Sequence, residues 1–350
     1  MEKAASRNQV ESKNSKKQSE ESKTPLERTL ATIMENFSFY LTVLIVMYFI
    51  MIVREIYDFH AKIYREGGSF EYQELWYLPI TFAIDKLIIV LCPIFLTDFY
   101  KQHLTEGKNR GETEEKRLTR LTTYTSNIIY YTNAFLVGIW LTRGTDLLPV
   151  FLGGELDNSQ FIYFWPKDIP KVIRIFFIFQ FSHHFGSLLT NLMYKRQTSD
   201  FYTMNFHHFL CIFLMITSYF MRQLHYGVPV LIINDMSEAF LNTTKLFREI
   251  KPLKKFFVVS FLLLWSTWVY SRIFSYTLEI LKHLKDLLVK PSDAIKEFQY
   301  AFLFQVISLH LLGVLNFYWF FMISKLLYNK IVGGVDKNHV EGETDKEKED

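Results

Sequence analysis

Long apolar runs decide what this chain can fold into. A bilayer core about 30 Å thick is crossed by roughly 20 helical residues, and lipid admits few backbone forms other than helices that satisfy their own hydrogen bonds. Eight stretches qualify by length: 37–53, 76–97, 124–141, 171–193, 203–220, 228–244, 256–276 and 300–328. The sixth, "VPVLIINDMSEAFLNTT", carries Asp235 and Glu238 and is the weakest, so seven spans is the alternative count. The expected architecture is all-α: a polytopic transmembrane helical bundle over 35–331 with disordered polar termini at 1–34 and 332–350, both tails being charged and nearly free of aromatics.

Composition agrees with lipid surroundings. With 34 Phe, 20 Tyr and 49% hydrophobic residues the chain is too apolar for an ordinary soluble domain, and a net charge of only +3 offers no nucleic-acid footprint. Both cysteines, Cys92 and Cys211, lie in apolar runs, which argues against a disulfide framework. The N-terminal thirty residues are too polar for a cleavable signal peptide. Lysine and arginine crowd the N-terminal tail, 98–123, 194–201, 245–255 and the stretch after 325, whereas 54–75 and 142–170 are acidic or poor in them. That alternation fits eight spans with both termini in the cytosol, against which only 277–299, with four lysines, stands out. Asn36 and Asn242 match the glycosylation pattern but lie on the cytosolic side or at a helix end, where neither is expected to be used.

Ionisable groups inside spans are costly and mark functional candidates. They are Asp85 and Lys86, His183 and His184, His207 and His208, Asp235 and Glu238, and His310. Depth pairs two of these sets. Counting from the cytosolic boundary at 1.5 Å per residue, His207 and His208 lie about 8 and 9 Å deep, and Glu238 and Asp235 roughly 10 and 15 Å. Asp235 and Glu238 are three apart and share a helix face, and the connection between spans five and six is short enough to make them antiparallel neighbours. A facing set of two imidazoles and two carboxylates follows, fit for a general base or a nucleophile. His183, His184, His310, Asp85 and Lys86 read more readily as helix-packing groups. A di-iron desaturase or hydroxylase site needs more histidines, in closely spaced boxes, than this chain has, so a metal-free acid/base or acyl-transfer site is preferred.

The stretch "DFYTMNFHHFLCIFLMITSYFMRQLHYGVPVLIINDMSEAFLNTTK", Asp200 to Lys245, resembles the signature block of the TLC-domain ceramide synthases. The matching positions are Asp200, Phe201, His207, His208, Ser218, Tyr219, Gly227, Val230, Asp235 and Lys245. "FQFSHHFGSLLTNL" and "FQVISLHLLGVLNFYWFFMISKLLYNKI" resemble flanking spans, so the likeness covers about 75–331. Glu238 stands where a second Asp is usual, Asn234 where His often precedes the first Asp, His225 where Arg is common and Cys211 where a small residue is typical. The resemblance implies N-acylation of a sphingoid base by a fatty acyl-CoA in the endoplasmic reticulum membrane, with no cofactor beyond the acyl-CoA co-substrate. His207, His208, Asp235 and Glu238 would be catalytic, while Asp200, Lys195, Arg196, Tyr219 and Lys245 would bind substrate. Arg248, Lys251, Lys254 and Lys255 extend the basic cytosolic rim that an acyl-CoA headgroup would meet. Transfer could be direct or pass through an acyl-imidazole. The C-terminal "KEKED" resembles an endoplasmic-reticulum retrieval signal. A homo- or hetero-oligomer is compatible with this family. Alternative readings are a catalytically silent TLC-domain protein that senses lipid or accompanies the translocon and, with less support, the histidine-metal desaturase.

Overall fold

The structure, a computed structural model, describes residues 24–66, 72–104, 113–155, 169–193, 201–282, 284–285 and 296–332. Within them the chain is helical, with one isolated antiparallel bridge between Leu104 and Ile250. Eight long helices follow in order: α1 (Pro25–Arg65), α2 (Tyr77–His103), α3 (Glu114–Thr142), α4 (Lys171–Met193), α5 (Phe201–Phe220), α6 (Leu224–Glu249), α7 (Phe257–Trp268, continued by a π-helix over Val269–Leu281) and α8 (Gln299–Val332). Each apolar run noted in the sequence falls on one of them.

The chain divides into two compact units, Met1–Tyr57 and Asp58–Asp350. In the first, the described part is the opening of α1. The second holds everything from the end of α1 onward.

Among the described residues four helical stretches are long and apolar enough to cross a membrane: Gln73–His103, Lys171–Leu192, Lys251–Leu281 and Gln299–Asn329. Helices α1, α3, α5 and α6 fall outside that set. For the last two, polar side chains explain why: α5 carries His207 and His208, α6 carries Asp235, Ser237 and Asn242, and all five are buried inside the second unit. These helices face protein along their polar stripe, as ionisable groups at membrane depth do.

Close approach of backbones builds the centre. Between apolar helices in lipid, small residues replace the hydrophobic effect as the means of tight association. A Cβ at Gly138 of α3 would lie 2.8 Å from Ile232 Cγ1 of α6, so this glycine sets the α3–α6 separation. Around the contact, Ile173 and Phe177 of α4 pack with Val228, Leu231 and Ile232 of α6. Farther along, Asn127 Nδ2 donates to Asn242 Oδ1 at 3.1 Å. Asn242 is thereby a buried packing residue.

Helix ends are tied by specific bonds. Arg174, near the start of α4, donates from Nε and Nη2 to the Glu74 carboxylate at 2.8 and 2.6 Å, a bidentate pair ahead of α2. Helices α5 and α6 are joined by three residues, with Gln223 N donating to Ser218 O at 2.7 Å and Arg222 at φ 55°. That six-to-one bond and left-handed residue form the Schellman turn usually built on glycine. The pair is antiparallel, as the short connection required.

Candidate active site

Adjacent histidines on a helix point about 100° apart, and α5 uses the difference to engage two neighbours. The His207 ring meets the Trp319 ring of α8 edge-on at 5.2 Å, with Cys211 Sγ 3.6 Å from its Nε2. The His208 ring faces His184 of α4 at 6.2 Å and lies 5.6 Å from His207. Both line one cavity that Asp235 and Glu238 of α6 also line, together with Tyr131, Arg272 and Gln305. Most of the remaining wall is apolar, including Met204, Leu214, Met215, Val230, Leu231 and Leu309. The two pairs joined by depth arithmetic thus meet around one space.

The carboxylates, however, take their hydrogen bonds from groups other than the two histidines. Asp235, 1% exposed, accepts from Gln180 Nε2, and Gln180 Oε1 in turn accepts from the Tyr130 hydroxyl. Glu238 accepts from Arg272 Nη2 at 2.5 Å. Arg272, 1% exposed, also donates to Ser237 Oγ at 2.5 Å and Asn234 O at 3.2 Å, reaches Asn316 Oδ1 at 3.4 Å, and rests 4.2 Å from the Trp268 ring centroid. An ion pair, two polar partners on α6 and an aromatic face account for so deep a guanidinium. His208 Nδ1 is buried with no hydrogen-bond partner.

The π-helix has a part in this. Such a long π segment is rare, and shorter ones often sit at functional sites. Here it carries Arg272 and, two turns on, Glu279, whose Oε1 accepts from Phe151 N at 2.8 Å.

The other expected site residues are placed elsewhere. Tyr219 is buried in the cluster of Phe177, Val228 and Leu231 and does not line the cavity. Lys245 holds its ammonium 5.7 Å from the Tyr124 ring centroid. Lys195, Arg196 and Asp200 lie outside the described residues. Arg248 bonds the Glu249 carboxylate, which Arg117 and Arg120 also approach, making a basic cluster near the cytosolic end expected for α3 and α6. The three arginines hold the Glu249 carboxyl below its usual range even though burial pushes it upward.

Sequence reading missed three participants. Arg272, Gln180 and Tyr130 belong to the site, and the first had a signal available as a charge inside the 256–276 run. Asp85, Lys86 and His183, read as packing groups, form a second ionic cluster: His183 Nδ1 is 2.7 Å from Asp85 Oδ1, and Lys86 Nζ is 3.2 Å from Asp85 Oδ2. Cys92 and Cys211 are both free. Among the described residues no three His, Cys, Asp or Glu side chains are grouped to hold a metal ion.

Imidazoles and carboxylates lining a cavity with apolar walls can move protons at a reactive centre while holding an alkyl chain. Comparison with known proteins points the same way. Residues 121–325 match the model of the TLC domain. The chain is 27% identical over 217 residues to "Ceramide synthase hyl-1" of Caenorhabditis elegans, covering 60% of this chain and 57% of that protein. It is 22% identical to "Ceramide synthase hyl-2" of the same organism, covering 79% and 86%, and 23% identical to "Ceramide synthase 1 LOH3" of Arabidopsis thaliana, covering 74% and 87%. The match to hyl-1 therefore spans a little over half of that relative, and the other two matches span most of theirs. With the domain model matched across more than half its length, the chain belongs to the TLC-domain family.

Proposed function

We propose that this protein is a ceramide synthase, an acyltransferase that moves a fatty acyl group from acyl-CoA to the amine of a sphingoid long-chain base. The observation that carries the reading is the single cavity in which His207 and His208 stand with Asp235 and Glu238 among apolar side chains. The relatives' names support the same activity. In this reading all eight helices span the endoplasmic reticulum membrane, both termini are cytosolic, and the CoA headgroup docks on the basic cytosolic rim while its acyl chain enters the cavity.

Chemistry then follows from the residues. A sphingoid base arrives as an ammonium and is not nucleophilic until it loses a proton. His208, with an unpartnered Nδ1, is the acceptor. The freed amine attacks the thioester carbonyl, the tetrahedral adduct collapses, and the C–S bond breaks to give amide and CoA. In the two-step variant His207 takes the acyl group first and passes it to the amine. Arg272 holds the Glu238 side chain in place beside the reacting centre, and Gln180 orients Asp235. The acyl-CoA supplies its own activation, so no further cofactor enters.

The test supplies a sphingoid base and a panel of acyl-CoAs to membranes from cells lacking their own ceramide synthases. Product is expected with the intact chain and absent with His207→Ala and His208→Ala. No product from the intact chain, or unchanged product from both variants, overturns the assignment. Incubation with acyl-CoA alone separates the routes, because only the two-step route leaves acyl-enzyme.

A further inference from the structure

Two helices give the cavity a long axis. On α8 the side chains of Phe302, Gln305, Leu309 and Leu312 line it. The same alternating spacing of three and four continues through Asn316 and Trp319, which reach Arg272 and the His207 ring. One face of α8 therefore runs from the reacting centre into the apolar interior. Along it the helix rises about 21 Å between Trp319 and Gln305. On α5, His207 and Ser218 line the same cavity about 16 Å apart along the helix.

Gln305 breaks the apolar pattern. Of the described α8 side chains on that wall it alone is polar, with Phe302 and Leu309 one turn to either side. It is 6% exposed, and its Nε2 is buried with no hydrogen-bond partner. Buried polar atoms are ordinarily bonded, and each exception calls for an explanation. Packing supplies none here, because a leucine or methionine would fill the same place without an unpaired amide. A plain hydrocarbon chain lying in the cavity would leave the amide unpaired and shut off from water, which is the costly arrangement. A hydroxyl on that chain would pair with it, and since a hydroxyl both donates and accepts, it meets the amide whichever way the amide is turned.

We propose that Gln305 is a specificity residue that selects fatty acyl chains bearing a hydroxyl group near their far end. This rests on the N-acylation reading, in which the thioester lies at the histidines and the acyl chain runs down the cavity. An extended alkyl chain, with bonds of about 1.5 Å and angles near 111°, advances roughly 1.25 Å per carbon. The rise of about 16–21 Å from the histidines to the far end of the cavity is then spanned by roughly 13 to 17 carbons. Gln305 thus stands beside the distal end of a myristoyl or palmitoyl chain and far from a hydroxyl next to the carbonyl. A site built to hydrogen-bond a substrate hydroxyl rejects the analogue lacking it more strongly than an apolar pocket rejects the added group.

The experiment measures kcat/KM of the full chain in lipid nanodiscs with sphinganine as acceptor. Palmitoyl-CoA is compared with ω-hydroxypalmitoyl-CoA, and myristoyl-CoA with ω-hydroxymyristoyl-CoA. The hydroxylated member of at least one pair is expected to be preferred by about tenfold or more, while α-hydroxypalmitoyl-CoA, whose hydroxyl sits beside the thioester, shows no such gain. In Gln305→Met, an apolar side chain of similar length, the preference is expected to vanish or invert, because an apolar wall offers the hydroxyl nothing. If that variant does not elute as folded protein, the comparison within the intact chain decides the matter. Equal kcat/KM within both pairs overturns the proposal, as does a preference that survives Gln305→Met. Sphinganine hydroxylated at its far end, used with palmitoyl-CoA, is expected to gain nothing; a gain there puts the base against Gln305 and overturns the assignment to the acyl chain. An intact chain that turns over no acyl-CoA removes the acyl-transfer reading itself, a result distinct from an active protein indifferent to the hydroxyl.

Discussion

Replacing Arg272 with methionine keeps much of the side-chain volume and deletes the charge that Glu238 faces. Arg272 is 1% exposed, bonded to Glu238 and Ser237 at 2.5 Å and to Asn234 O at 3.2 Å. The 3.4 Å approach to Asn316 is long for a hydrogen bond and adds little. Removing one partner of a buried ion pair costs about 3–5 kcal/mol, mostly as an uncompensated charge. Because the Glu238 side chain keeps 21% exposure to the cavity, the lower end applies. Melting of the detergent-solubilised protein, followed by tryptophan fluorescence, is expected to drop by roughly 4–5 °C for about 3 kcal/mol spread over about 300 folded residues. Arg272→Met combined with Glu238→Met removes both charges, and an apolar pair of similar volume is often as stable as the ion pair it replaces. The double variant should therefore recover most of the loss. A double variant that melts no higher than the single one, or a single one that melts with the wild type, refutes the account of this arginine as the counter-ion of Glu238.

Three further outcomes follow from the packing and charge. Gly138→Ala drives a methyl into Ile232 at 2.8 Å and should cost about 1–3 kcal/mol as overpacking, read as lowered melting. Glu249, held below its usual range by Arg248, Arg120 and Arg117 despite burial, contributes stability that is full above the unfolded value of about 4.3 and is lost as pH falls through its lower folded value. Glu249→Gln should be less stable than wild type near neutrality, and the gap should close in acid melts. Asn242, buried and bonded to Asn127, should show no mobility shift on glycosidase treatment, and Asn242→Ala should lower melting instead.

What could be read in advance was whatever depends on spacing along one helix. The pairs His207–His208 and Asp235–Glu238 share a cavity because position within a span fixes depth and a three-residue turn fixes which helix is next. Asn316 and Trp319, both within the stretch that resembles the family's last span, reach Arg272 and His207 because they are three apart on one face. Arg272 itself was harder to place. It lies four residues from the end of the 256–276 run, where a basic residue is ordinarily an anchor at the membrane interface, and its burial depends on helices distant in sequence. Gln180 and Tyr130 were invisible for another reason: neither is charged at neutral pH, and each matters only through the partner it finds on another helix. Tyr219, suggested by resemblance, and Lys245, expected at the basic rim, both lie outside the cavity wall, because motif membership does not say which face a residue occupies.

The ion pair between α6 and α7 also bears on how the chain reaches its membrane. Translation delivers Glu238 before Arg272, and Asn316 and Trp319 later still. A carboxylate placed at the centre of a translocating helix costs up to about 2.5–3.5 kcal/mol on insertion scales, and when α6 emerges its cation has not yet been synthesised. Gln180 and Tyr130, by contrast, are already made, so Asp235 can be met on arrival. In the eight-span arrangement proposed above, helix α6 must therefore wait, held by earlier helices or by the insertion machinery, until α7 brings the guanidinium. The order of synthesis makes the site's assembly a late event that α7 and α8 complete, and truncation after α6 should leave a segment that cells treat as unfinished.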